Sequence, residues 1–90
     1  MKRANIRVRG LVQGVFFRLN AKKIALDLGL KGYARNMPDG SLEIIVEGPK
    51  GRIDELIEFC KKGPEAAEVS RINVRFENPK NEFDGFEIRR

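Results

Sequence analysis

No histidine occurs anywhere in this chain. Without an imidazole there is no histidine general base, no phosphohistidine intermediate and no histidine-ligated metal site. A single cysteine, Cys60, excludes an internal disulfide. The fold therefore does not rest on oxidation, and a cytoplasmic location is expected. After Met1 the chain is polar, and no apolar run approaches membrane-spanning length, so neither a signal peptide nor a membrane partner is expected. The four aspartates are dispersed and offer no paired carboxylates for a metal or an aspartyl-phosphate. Cys60 falls on the apolar stripe of a helical stretch, the place of a structural cysteine rather than a phosphatase nucleophile.

What is present fits one domain spanning residues 1–90, with 41% hydrophobic residues for a small core. The net charge of +5 is unevenly placed. Residues 1–35 carry nine Lys or Arg against one acid, a net of +8, and the remainder carries −3. That basic half could concentrate an anionic substrate, although a solvated surface would show the same excess. Charged residues at 34% and a single glutamine hint at a heat-adapted source.

Ala4, Ile6 and Val8 alternate with polar residues, which predicts a half-buried strand to about Leu11. From Phe17 to Leu28 the apolar positions Phe17, Ala21, Ile24, Ala25 and Leu28 take helical spacing, and Gly29 is placed to cap the helix in a left-handed conformation. A second strand, Gly32 to Met37, turns through Pro38-Asp39-Gly40-Ser41 into a third, where Leu42, Ile44 and Val46 alternate with Glu43, Ile45 and Glu47. Ile53, Leu56, Ile57 and Cys60 mark a second helix, closed by Gly63-Pro64. Ile72, Val74 and Phe76 give a fourth strand, and Phe83, Phe86 and Ile88 a last short strand or extended end. The order strand-helix-strand-strand-helix-strand predicts an α+β fold, a ferredoxin-like βαββαβ sandwich whose antiparallel sheet carries both helices on one face.

Chemistry concentrates in Gly10-Leu-Val-Gln-Gly-Val-Phe-Phe-Arg18. A strand end, a tight loop and a helix start can aim several backbone N–H groups at one anion, and Arg18 can grip two oxygens of it. The loop lacks the Gly-Lys-Ser/Thr ending of a nucleotide-binding Walker loop. A cradle and a cation without nucleophile, base or metal suit a phosphate with a good leaving group. An acyl phosphate expels a weakly basic carboxylate, and phosphoryl transfer then asks mainly for positioning and charge stabilisation. Asn36, at the end of the second strand, carries a neutral carboxamide able to hold a water, though on the residues alone a turn-entry asparagine bonding local backbone is the commoner case.

VRGLVQGVFFR resembles the first signature of the acylphosphatase family, and GYARNMPDGSLEIIVEG, Gly32 to Gly48, resembles the second. Lys62-Gly63-Pro64 with Ala66, Ala67 and Val69, and the terminal Phe86-Glu87-Ile88, also fit. The resemblance implies that Arg18 binds the phosphate and Asn36 orients the attacking water. It implies that the amides of Gln13, Gly14, Val15, Phe16 and Phe17 form the cradle, with Gly10 and Gly14 permitting its geometry. It further implies hydrolysis of a small-molecule acyl phosphate to carboxylate and inorganic phosphate, with no metal and no cofactor, by a monomer. Phe16 stands where a small residue is frequent, so its bulk is expected to shape the mouth of the cradle and the acyl group accepted. Ala21 and Met37 stand where relatives often carry a hydroxyl.

Two other readings remain open on the sequence. One is a regulatory domain that binds an acyl or carbamoyl phosphate without turnover. The other, suggested by a pI near 9.7, is an RNA-binding module. Against it, the third strand is expected to expose Glu43, Ile45 and Glu47 and to offer no aromatic, so no nucleic-acid partner is expected.

Overall fold

A computed structural model describes residues 1–90. The elements follow as β1 (Lys2–Leu11), α1 (Phe17–Asp27), β2 (Lys31–Asn36), β3 (Leu42–Gly48), α2 (Lys50–Lys62), β4 (Glu68–Glu77) and β5 (Phe86–Arg89). The sheet order is β4-β1-β3-β2-β5. Ala4, Ile6 and Val8 lie opposite Val46, Ile44 and Leu42, so the alternating residues of both strands reach one face. There they join Phe17, Ala21 and Ala25 of α1 and Ile53, Leu56, Ile57 and Cys60 of α2 in one core. Both helices therefore cover the same side of the sheet, the ferredoxin-like arrangement.

α1 ends where its capping residues require. Gly29 has φ 70°, with Gly29 N–H donating to the Leu26 carbonyl and Leu30 N–H to the Ala25 carbonyl. This pair of bonds is a Schellman closure, which needs a left-handed residue. Gly32 is demanded by proximity, since a Cβ there would lie 1.9 Å from the Ile45 carbonyl oxygen.

Two features differ from the expectation. The four core strands pair antiparallel, but β5 pairs parallel to β2, with Gly32 opposite Phe86 and Ala34 opposite Ile88. The reason is the path of residues 78–85, which cross the helix-free face before the chain enters β5. The second difference concerns β3: Glu43, Ile45 and Glu47 are not exposed but 9%, 4% and 5% accessible. The backbone amides of Lys80 and Asn81 donate to the Glu47 carboxylate at 2.7 and 3.1 Å, and Arg3 closes on it at 2.9 Å. Tyr33 and Arg35 donate to Glu43 at 2.9 and 3.2 Å. Buried carboxylates persist because they are paired and hydrogen-bonded. Burial pushes the Glu47 carboxyl up, but the Lys80 amide, Arg3 and the Asn81 amide outweigh it, and the carboxyl sits below its ordinary range. The helix-free face thus buries Glu43 and Glu47 and sets Arg7, Arg9 and Arg75 around a broad depression.

β4 is an edge strand, and its far end is only partly covered. Val74 and Phe76 point to the helix side yet stay exposed, with the Lys50 ammonium 5.2 Å above the Phe76 ring.

Candidate active site

β1 runs into the loop of residues 12–16 through a bulge at Arg9 and Gly10. Gly10, at φ 126°, lies so close to β4 that a Cβ would sit 2.2 Å from the Glu68 carbonyl oxygen. Its lack of a side chain therefore serves the sheet edge. Gly14 has φ 75° and open space around its Cα, so its requirement is conformational alone. Val15 and Phe17 anchor the loop by side chains in the core, and Phe17 meets Phe59 edge to face at 5.5 Å.

This anchoring leaves the loop amides free. None of the N–H groups of Gln13, Gly14, Val15 and Phe16 donates to a backbone carbonyl. α1 begins behind them with Phe16 as its N-cap, no side-chain cap and no acid in its first turn. Unsatisfied donors at a helix N-terminus favour an anion, and here no side chain of the protein supplies one.

Phe16 itself sits at φ 63°, ψ 21°. Holding a bulky L-residue in this left-handed region costs about 1 kcal/mol or more. Asn20 holds it there, since its backbone and side-chain nitrogens donate to the Phe16 carbonyl at 3.1 and 2.9 Å.

Arg18 lies half-buried one residue into α1. One guanidinium nitrogen donates to the Arg89 carbonyl at 3.0 Å. Arg3, Arg7, Arg9, Arg35 and Arg89 each have an acidic partner, whereas Arg18 has none, like Arg52, Arg71, Arg75 and Arg90; of these, Arg18 alone lines this cavity. Asn36 ends β2 facing the same cavity of about 270 Å³, which Arg18, Gly14 and the apolar Val12, Phe16, Phe17, Leu19 and Ile88 complete. The Asn36 carboxamide oxygen is buried and has no hydrogen-bond partner. A buried acceptor left open in this way calls for a partner from outside the protein.

The structure thus brings Arg18, Asn36 and the loop together. Sequence reasoning missed the tie between them, which is the Gln13 side chain. Its amide nitrogen donates to the Met37 and Ser41 carbonyls at 2.8 and 3.0 Å, fastening the loop to the β2–β3 connection directly after Asn36. The sole glutamine of the chain was the available signal. Ile88 was also missed as a wall of the cavity, because the position of β5 beside β2 is a long-range pairing.

The same connection is braced by Asp39, whose carboxylate accepts the Ser41 amide at 2.9 Å and Arg9 at 3.2 Å. The Ser41 hydroxyl and amide, then Arg9, hold its carboxyl down from 3.8 to about 2. A depressed carboxyl stabilises the fold above its unfolded pKa and loses that contribution as pH falls through its folded value. Denaturation midpoints of the wild type and Asp39→Asn should therefore differ most above pH 4. The gap should close between about pH 4 and pH 2, following the Asp39 carboxyl. A gap constant across that range would remove Asp39 from the bracing. Cys60 is fully buried in the core, and burial pushes its thiol up to about 12, so it supplies no nucleophile.

Fold and cavity together define a small ferredoxin-like domain with an anion-ready loop, Arg18 and Asn36 gathered at one site. The acylphosphatase family model matches residues 4–88, so the chain belongs to the acylphosphatase family, a family of hydrolases. An acylphosphatase of Aeropyrum pernix is 52% identical over 88 residues, covering 97% of this chain and 87% of the relative. The crystal structure of acylphosphatase from Bacillus subtilis aligns over 100% of both chains with a TM-score of 0.95 and 32% identity. Full-length HypF, in a phosphate- and nucleotide-bound form, contains a similar region with a TM-score of 0.88 and 34% identity, covering 97% of this chain and 11% of that one.

Proposed function

We propose that residues 1–90 act as a single monomeric domain that hydrolyses the carboxyl–phosphate bond of small acyl phosphates. Arg18 and the amides of Gln13, Gly14, Val15, Phe16 and Phe17 bind the non-bridging phosphate oxygens. The Asn36 carboxamide oxygen accepts a hydrogen bond from a water and holds it opposite the acyl oxygen. The water oxygen bonds to phosphorus as the bond to the acyl oxygen breaks; the carboxylate leaves with that electron pair, and both protons of the water stay with the phosphate, which departs as dihydrogen phosphate. The leaving carboxylate is weakly basic, so no general acid is required. The charge of a loose transition state spreads over oxygens already facing Arg18 and the amides.

One observation carries this reading: an arginine without an acidic partner lines the same cavity as an asparagine whose carboxamide oxygen has no donor. No metal, cofactor, membrane or nucleic acid enters it. The reading without a nucleic-acid partner is supported by the packing of Tyr33 and Phe83. Tyr33 and Phe83 pack against each other at 5.9 Å, and the Arg89 guanidinium lies 4.1 Å from the Tyr33 ring, so neither ring is free to stack on a base. The buried free Cys60 suits a reducing, cytoplasmic setting.

The test is phosphate release from benzoyl phosphate with excess EDTA. Turnover should be the same with and without the chelator. Binding without release would favour a regulatory role over turnover. Loss of turnover on chelation would overturn the metal-independent chemistry.

A further inference from the structure

We infer that Phe16, Leu19 and Ile88 form an apolar acyl subsite, making the chain selective for acyl phosphates with extended apolar acyl groups over small or anionic ones. This rests on the proposed reading of the cavity as the phosphate site and adds the class of acyl group it takes.

Three observations support it. Phe16, Leu19 and Ile88 are 74%, 43% and 38% exposed, yet they converge on the one cavity that holds Arg18 and Asn36. Isolated exposed apolar residues are ordinary, but a cluster at the rim of a polar site marks a contact surface. The second observation is the backbone of Phe16. A residue is held in the left-handed region by two hydrogen bonds to its carbonyl, and its ring is left in solvent. Glycine would relieve the strain, and the ring contributes nothing to the core, so its use lies outward. The third is charge. Arg18 is the sole cation lining the cavity, so a second carboxylate or phosphate on the acyl group would find no further cation there.

Phe16, the left-handed N-cap of α1, and Leu19, in its first turn, both line the cavity. A phosphate seated on the loop amides directs its acyl substituent outward between them and Ile88. An acetyl group is too short to cover these side chains, while a chain of several methylenes removes them from water.

The experiment compares kcat/KM for hexanoyl and acetyl phosphate, whose carboxylates are nearly equal leaving groups, so the ratio isolates contact with the acyl chain. In the wild type the ratio should exceed about tenfold, and succinyl phosphate should rank with or below acetyl phosphate. In Phe16→Gly and in Leu19→Ser the ratio should fall several-fold toward unity. A general disturbance of phosphate binding would lower both substrates together and leave the ratio in place. A wild-type ratio near one, or ratios unchanged in both variants, would overturn the subsite while leaving the proposed hydrolysis standing. Failure of the wild type to release phosphate from any acyl phosphate would instead defeat the reading on which the subsite rests.

Discussion

Arg18→Ala should lose inorganic-phosphate binding and lower kcat/KM for an acyl phosphate by roughly 10²- to 10³-fold, the range for removing one preorganised charge-stabilising group. The fold should survive. Arg18 has no ion pair, and its one protein hydrogen bond ends on the Arg89 carbonyl near the end of the chain. A change at such a position usually falls within about 0.5 kcal/mol. Arg18→Lys should restore little, because an ammonium keeps the charge without the planar fork that spans two oxygens. Titration calorimetry with phosphate and steady-state kinetics would check both variants. An alanine variant with wild-type phosphate affinity would move the anion site elsewhere.

Asn36→Ala should show the complementary pattern. Phosphate affinity should stay near the wild-type value while kcat falls by about 10²-fold or more, the loss expected when an interaction is made only in the transition state. Stability should hold or rise slightly. The carboxamide oxygen is buried without a donor, so its removal deletes an unsatisfied acceptor instead of breaking a bond. A structural asparagine would give the reverse result, with a lowered melting temperature and kinetics intact. Asn36→Asp separates the roles further: it keeps the shape but sets a negative charge beside the phosphate, and should bind it more weakly than the alanine variant does.

The two variants divide the cavity along the path of the chain. Arg18 arrives with the loop after β1, and Asn36 with the end of β2. Gln13 joins the halves by bonding the carbonyls of Met37 and Ser41. Asp39 braces the same connection against Ser41 and Arg9. Positioning is much of what phosphoryl transfer requires, and these neutral and charged ties supply it without touching substrate.

Much of this was legible in the sequence. Alternation at Ala4, Ile6 and Val8, helical spacing from Phe17 to Ala25 and the Asp-Gly turn specify elements through neighbours a few residues apart. The glycines at 14 and 29 announce left-handed backbone where a loop or helix end needs it. The loop with its arginine stood out because its residue types match an anion, whereas the later asparagine stood out through the resemblance to the acylphosphatase signatures.

Other features were illegible for an equally definite reason. Glu43 and Glu47 occupy the polar phase of an alternating strand, and that pattern reads as exposure. Their burial comes from Arg3, Tyr33, Arg35 and the amides of residues 80 and 81, all brought over β3 by pairings across the sheet. The parallel placement of β5, which supplies Ile88 to the cavity and the Arg89 carbonyl to Arg18, likewise has no local signature.

The sequence by itself determined the order of elements, the core stripes and the residue types of the phosphate chemistry, because these follow from local periodicity and side-chain functional groups. Only the tertiary structure decided that Arg18 stands without an acid, that the Asn36 oxygen is open and buried, and that Phe16, Leu19 and Ile88 rim the same cavity. Those facts depend on which distant strands meet, and the sheet's long-range pairing sets them.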